Sequence, residues 1–256
     1  MQTILKRGTE VDFTEIEYGT IKDLGSQRGS AIYVNMEGKA LVLQTPKMRS
    51  PFGLSKYEDK DKETGEVKST RYDVQLSFDH KEDGEDIEQF LQNMRALDEK
   101  LISDGTKNSK EWLGKKMGEN SIKEAAYTSV VRVTDKEDES GNPLYAPTIK
   151  IKVPYYDDKF KCEFYDNKRN ELNQEQFTSM LRPGVQVQAL IQCVGIWITN
   201  KKFGCSWKLV QMRIFPSQSL KKHAFLDDDG SGSDGSDGDN KQDDGDDNDS
   251  IIEDSD

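Results

Sequence analysis

Histidine is almost missing from this chain: there are two in 256 residues, His80 in a charged turn and His223 near the C-terminal region. Neither has a second metal-binding side chain at ligand spacing, so both read as surface residues and not as metal ligands or acid–base catalysts. Cysteine is scarce as well. Cys162, Cys193 and Cys205 are odd in number and lack paired spacing, which points to a reducing, intracellular compartment and away from a disulfide framework. No apolar run reaches the ~18 residues of a membrane helix, and the opening MQTILKRGTEVDF has too short an apolar run for a signal peptide. There is no Walker-type loop, no dinucleotide fingerprint and no Gly-x-Ser-x-Gly elbow. Carboxylates are plentiful but fall mostly in turns, such as Glu58–Glu66 and Asp135–Glu139, where nothing marks a protected acid–base pocket. Asp157 and Asp158 read as solvated residues of a hairpin turn. Neither an enzyme nor a cofactor is expected, and a divalent-metal hydrolase ranks last among the readings.

What is present is divided by charge. Residues 226–256, LDDDGSGSDGSDGDNKQDDGDDNDSIIEDSD, contain 14 acidic residues and a single basic one, Lys241. The preceding 225 residues hold 35 basic and 34 acidic residues, so the net charge of −12 belongs to the tail and the body is close to neutral. An acidic total therefore does not exclude a polyanionic partner. Low complexity, high charge and the absence of aromatics predict disorder from Asp227 onward. A tethered polyanion imitates a nucleic-acid backbone and competes for any basic groove beside it. The plain alternative is a tail that only supplies solubility and repulsion.

The body, 1–226, reads as one domain rich in strands. SAIYVNMEGKALVLQTPKM forms two strands about a turn at Glu37-Gly38. Tyr72, Val74, Leu76 and Phe78 alternate with polar residues as a half-buried strand. From Gly84 the period changes: Ile87, Phe90, Leu91, Met94, Leu97 and Leu101 recur at helical spacing, with Gly105 as the stop. A second helix is predicted from Ser109 to Met117, which gives a helical insertion over about 84–118. Strands then resume around Val131, Ile149 and Lys161. A helical turn follows at NELNQEQFTSMLRPG, then the strongest strand pair, VQVQALIQCVGIWITNKKFGCSWKLVQMRIF. The predicted fold is mainly β: an OB-fold-like antiparallel barrel with a helical insertion and a disordered acidic C-terminal tail. A β-sandwich fits the strand pattern equally.

Three segments interleave cations with aromatics, the combination that single-stranded nucleic acid requires. They are Lys47, Arg49, Phe52 and Tyr57; Lys150, Lys152, Tyr155, Tyr156 and Lys161; and Trp197, Lys201, Lys202, Phe203, Trp207 and Lys208. Arg132, Lys150 and Lys152 point away from the apolar residues beside them. Strict alternation puts Trp197 on the core face with Val187 and Ile191, unless Gly195 hosts a bulge that flips it. It puts Trp207 opposite Val210 and Met212, and it leaves Phe203 without a local core.

The segment GVQVQALIQCVGIWITNKKFGCSWKLVQMRIFP, followed by the acidic tail, resembles the single-stranded DNA-binding proteins of large nucleocytoplasmic DNA viruses of the algal-virus and mimivirus type. VNMEGKALVLQTPKMRSPFGLS fits the same pattern. That group is similar to the acidic-tailed single-stranded DNA-binding protein of short-tailed phages. The resemblance implies non-sequence-specific coating of single strands in viral DNA replication, recombination and repair, at a viral replication site in nucleus or cytoplasm or in the virion. It implies dimer formation, as in the phage members, and places the WITNKKFGCSWKL hairpin at the binding cleft. It also implies a tail that recruits a replication polymerase, helicase or primase, here through Asp243, Asp244, Asp246, Asp247, Asp249, Glu253, Asp254 and Asp256. The alternative is an acidic-tailed chaperone or virion component without DNA affinity.

Overall fold

The computed structural model describes residues 2–25, 29–79, 84–199 and 201–215. His80, His223 and the whole acidic tail lie outside them. Seven strands come first: β1 (Thr3–Arg7), β2 (Ile16–Asp23), β3 (Ser30–Met36), β4 (Lys39–Gln44), β5 (Met48–Arg49), β6 (Leu54–Lys60) and β7 (Val67–Ser77). A helical insertion follows, with α1 (Gly84–Lys107), α2 (Ser109–Leu113) and α3 (Glu119–Ser121), the last running into a π-helical turn, Ile122–Ala126. The remaining strands are β8 (Tyr127–Thr128), β9 (Val131–Arg132), β10 (Thr148–Val153), β11 (Tyr155–Tyr156), β12 (Lys159–Phe160) and β13 (Glu163–Tyr165). After α4 (Gln174–Met180), whose N-terminus Asn173 closes with a capping box on Gln176, come β14 (Gln186–Thr199) and β15 (Lys202–Phe215). The described residues are thus mainly β with a helical insertion, which extends to Ala126, beyond the predicted 118. None of their helices is long and apolar enough to cross a membrane.

Thirteen strands belong to one sheet, and β14 is its spine. One edge of β14 meets β5, β4 and β3 in succession, while the other pairs with β15 along its length. β5 joins β7, β7 joins β10 and β10 joins β15, so the pairings lead back to β14. The expectation of a mostly antiparallel sheet holds for most of these ladders. However, β8, β10 and β13 run parallel to β15, and β1 runs parallel to β4.

Alternation sets which residues fill the core. Val187, Ala189, Ile191 and Cys193 are buried on β14, as are Val74 and Leu76 on β7 and Ile149, Ile151 and Val153 on β10. Each strand of the β14–β15 ribbon then slips by one residue. On β15 the partner of Leu190 is Gln211 and that of Ile191 is Leu209, which leaves Val210 unpaired. On β14 the partner of Cys193 is Trp207 and that of Gly195 is Ser206, which leaves out Val194. A bulge reverses the side-chain alternation beyond it. Past the β14 bulge the buried residues are Ile196 and Ile198, and Trp197 turns outward. Gly195 at φ 123° suits the backbone there, and its missing Cβ matters because one would sit 2.3 Å from the Ile32 carbonyl oxygen. Past the β15 bulge Trp207 and Leu209 turn inward, joining Met212 and Ile214.

α1 lies over the core on Ile87, Phe90, Leu91, Met94, Leu97 and Leu101, the periodic residues of the sequence. It does not stop at Gly105. The helix continues to Lys107, and Gly105 provides room: a Cβ there would lie 2.3 Å from Phe203 Cζ. Phe203 fills this notch, 0% exposed, with Trp112 and Tyr127 around it. The second helix is shorter than predicted, ending at Leu113 because Gly114 takes a left-handed conformation at φ 74°.

Candidate functional site

β10 presents Thr148, Lys150 and Lys152 on the face opposite its buried residues. Register extends that face sideways. Thr148 stands beside Ser77 and Arg132, and Ser77 beside Arg49. Lys152 stands beside Asp73 on one side and Lys208 on the other. Two residues along from Asp73, Arg71 faces Tyr57. Neighbouring strands are about 4.8 Å apart and alternate residues about 6.7 Å. Arg49, Arg71, Arg132, Lys150, Lys152 and Lys208 therefore share one cationic face.

Within this face β15 changes partner. It runs beside β10 at Trp207 and Lys208, then beside β8 at Phe203 and Gly204. At this change of partner lies a cleft of about 280 Å³. Its lining brings together the cations Arg132, Lys150 and Lys152, the hydroxyls of Thr128, Ser129 and Ser206, and the indoles Trp197 and Trp207, with no carboxylate. Trp197 is half-buried and lies against Gly204, where a Cβ would come within 2.7 Å of its ring. Trp207, 1% exposed, forms part of the floor and offers no free face.

The cations differ in how far they are neutralised. Lys150 pairs with the buried Asp73 at 2.5 Å and sits 4.7 Å from the centre of the Tyr57 ring. Arg132, Lys152 and Lys208 make no ion pair among the described residues. Crowding by the protein, then the charges of Lys150 and Arg71, lower the pKa of Lys152. An anion arriving beside Lys152 would offset the like-charge repulsion and favour the charged amine. Cys162 and Cys205 are poor nucleophiles. Burial pushes Cys162 up to about 12, while a hydrogen bond with Cys193, 3.5 Å away, and burial hold Cys205 well above the usual thiol range. Among the described residues no three His, Cys, Asp or Glu side chains are placed to hold a metal ion.

The structure thus brings Tyr57, Arg132, Lys150, Lys152, Trp197 and Lys208 of the sequence candidates to one face, with Arg49 in the row of Arg132. It does not bring all of them there. Lys47 lies 5.0 Å from the Phe215 ring, at the other end of the β14–β15 ribbon, and Phe52 is exposed in the segment after β5. Tyr155 packs against Tyr72 and Phe160 on the core side of β7, whereas Tyr156 is exposed and Lys161 reaches Asp157 at 3.8 Å. Lys201 and Lys202 are exposed at the ribbon tip. Phe203 and Trp207 are corrections to any reading of them as open stacking platforms: the Gly105 notch takes the first ring, and the Val210 bulge carries the second inward. The tail candidates Asp243 to Asp256 lie outside the described residues.

Sequence reasoning missed Arg71, Ser206 and Tyr33. Arg71 and Ser206 meet the face only through register: Arg71 reads as one of the polar alternates of a half-buried strand, and Ser206, although inside the third cation–aromatic segment, is itself neither cation nor aromatic. Tyr33 is exposed beneath Lys22 and lies two residues from Ala31, the cross-strand neighbour of Trp197. Alternation around Ile32 and Val34 was its available signal.

One family matches residues 72–227, a span that contains the entire cleft lining. The chain belongs to this family, DUF5871, a family of unknown function. No curated protein matches it. Among solved structures, it is similar to the single-stranded DNA-binding protein from bacteriophage Enc34 in complex with single-stranded DNA, at 12% identity and a TM-score of 0.41, covering 78% of this chain and 97% of that one. It is also similar to the single-stranded DNA-binding protein encoded by bacteriophage T7, at 11% identity and a TM-score of 0.42, covering 69% of this chain and 87% of that one.

Proposed function

We propose that this chain binds single-stranded DNA without reading its sequence, in the manner of viral single-stranded DNA-binding proteins acting in replication, recombination and repair. The observation that carries the reading is the cleft lining: three cations, three hydroxyls and a half-buried indole, with no carboxylate among them. Phosphates need the first two and a base needs the third. A half-buried indole beside three cations suits a strand whose bases are unpaired. The returning path of pairings from β14 through β5, β7, β10 and β15 supports an OB-fold-like barrel as the scaffold. In this reading residues 1–226 are the binding domain and 227–256 an acidic tail that competes for the cationic face and recruits replication proteins.

The test is fluorescence anisotropy of labelled oligo-dT with the full chain and with a chain ending at Leu226, at low and moderate salt, against duplex DNA. Preference for the single strand, with tighter binding after tail removal at low salt, is the expected result. No binding by either chain at low salt overturns the reading and favours an acidic-tailed protein-binding factor. Unchanged affinity after truncation removes the tail's competitive role alone.

A further inference from the structure

α1 carries two buried carboxylates, and they are used differently. Asp104 is held by Lys100 at 2.9 Å, by Lys107 at 3.5 Å and by the Tyr18 hydroxyl at 2.7 Å. Asp98, 9% exposed, has no lysine or arginine partner among the described residues. Its donors all come from one short stretch of chain. The Tyr127 hydroxyl donates to Oδ1 at 2.5 Å and the Val130 N–H to the same oxygen at 2.8 Å, while the Val131 N–H donates to Oδ2 at 3.1 Å. Burial raises the Asp98 pKa against the pull of these donors, and burial together with Asp98 raises that of Tyr127, which keeps the phenol a donor.

That stretch is the wall of the cleft. Tyr127 and Thr128 are tied to β15, and Val131 and Arg132 to β10. Between these two attachments the chain bridges the gap, and Thr128, Ser129, Val130 and Arg132 line the cleft. We propose that Asp98 is the positioning residue of the nucleic-acid cleft: from the helical insertion it holds the Tyr127–Arg132 wall, and with it the Arg132 guanidinium, in binding geometry. The inference rests on the reading of this cleft as the site for single-stranded DNA. The role requires a carboxylate, because two acceptor oxygens serve three donors in a largely buried place. Asparagine keeps the shape but has one acceptor oxygen, and its amide N–H₂ would face a backbone N–H.

The test compares the full chain, Asp98→Asn, Arg132→Ala and the double variant by anisotropy on oligo-dT across a salt series. Asp98→Asn is expected to weaken binding by about 5- to 30-fold, since it leaves a buried donor unmet and lets the wall move. Losing the Arg132 phosphate contact is expected to make the negative slope of log K against log salt shallower by about 0.7 in both single variants. The double variant should bind like Arg132→Ala alone, because the two act through one contact. A merely structural role would not produce this coupling. If Asp98→Asn fails to fold, Tyr127→Phe removes one of the three donors and should weaken binding about 2- to 5-fold, with the same coupling to Arg132. Losses that multiply independently, or Asp98→Asn or Tyr127→Phe binding like the unaltered chain while Arg132→Ala is weakened, overturn the role of Asp98 and leave the cleft reading standing. An unaltered chain that ignores oligo-dT, or Arg132→Ala that binds as it does, overturns the cleft reading itself.

Discussion

Trp197 and Trp207 lie on opposite strands of one ribbon, and strict alternation from their neighbours places each on the wrong face. Trp197 is brought outward by the bulge at Val194, and Trp207 is carried inward by the bulge at Val210. The tip half of the ribbon therefore presents a ring to the cleft, while the next turn of the same ribbon seals the core beneath it. An indole's chemistry is the same in both places, so exposure alone separates an anchor of the fold from a candidate platform for a base.

Four substitutions break or sharpen this contrast. Trp207→Ala should be the most damaging, lowering stability by ~3–5 kcal/mol through the cavity it leaves, measured by chemical denaturation. Gly105→Ala comes next. Its methyl group meets the Phe203 ring and should cost ~1–3 kcal/mol, with part of the loss recovered when Phe203→Leu is added. Trp197→Ala reverses the pattern: denaturation midpoints should move little, while oligo-dT affinity falls by ~1–3 kcal/mol. If stability falls as far as in Trp207→Ala, the two indoles are equivalent and the contrast fails.

Lys152→Met has the smallest expected effect. The pKa of Lys152 is lowered in the fold from its ordinary 10.5. Its neutral form therefore contributes stability above about pH 10.5, and this is lost as pH falls through the lowered value. At neutral pH the charged amine weighs against folding, so the methionine variant should be equally or slightly more stable. The negative salt slope of DNA binding should become shallower by about 0.7. A destabilised variant would show that Lys152 has an anionic partner within the fold.

Much of this architecture is legible in the sequence because alternation and helical period are local signals. The β14 core residues as far as Cys193, the α1 stripe and the Glu37-Gly38 turn all follow from local pattern. The bulges follow only in part. Gly195 marks the first, but Val210 is β-branched and carries no mark of the second. Phe203 has no local core because its partner is a glycine in α1, and a glycine contributes a notch by what it lacks. β5 is two residues long, too short to read, yet it links β14 to β7. Arg132, Lys150, Lys152 and Trp197 were each identifiable as cations or aromatics. Their meeting at one cleft depends on register between strands far apart in the chain, which composition does not encode.

The position of β14 late in the chain has a consequence for synthesis. β3, β4 and β5 all pair with it, and the Thr45 hydroxyl accepts from the Ala189 N–H, 144 residues downstream. At about 5–20 residues per second, the ribosome leaves the N-terminal strands waiting roughly 7–30 s for that partner. Leu41, Leu43 and Met48, buried in the finished protein, have no completed core during this interval. Until the last two strands emerge, the nascent chain therefore carries apolar strands without their central partner, and a chain released before residue 186 would lack that strand altogether.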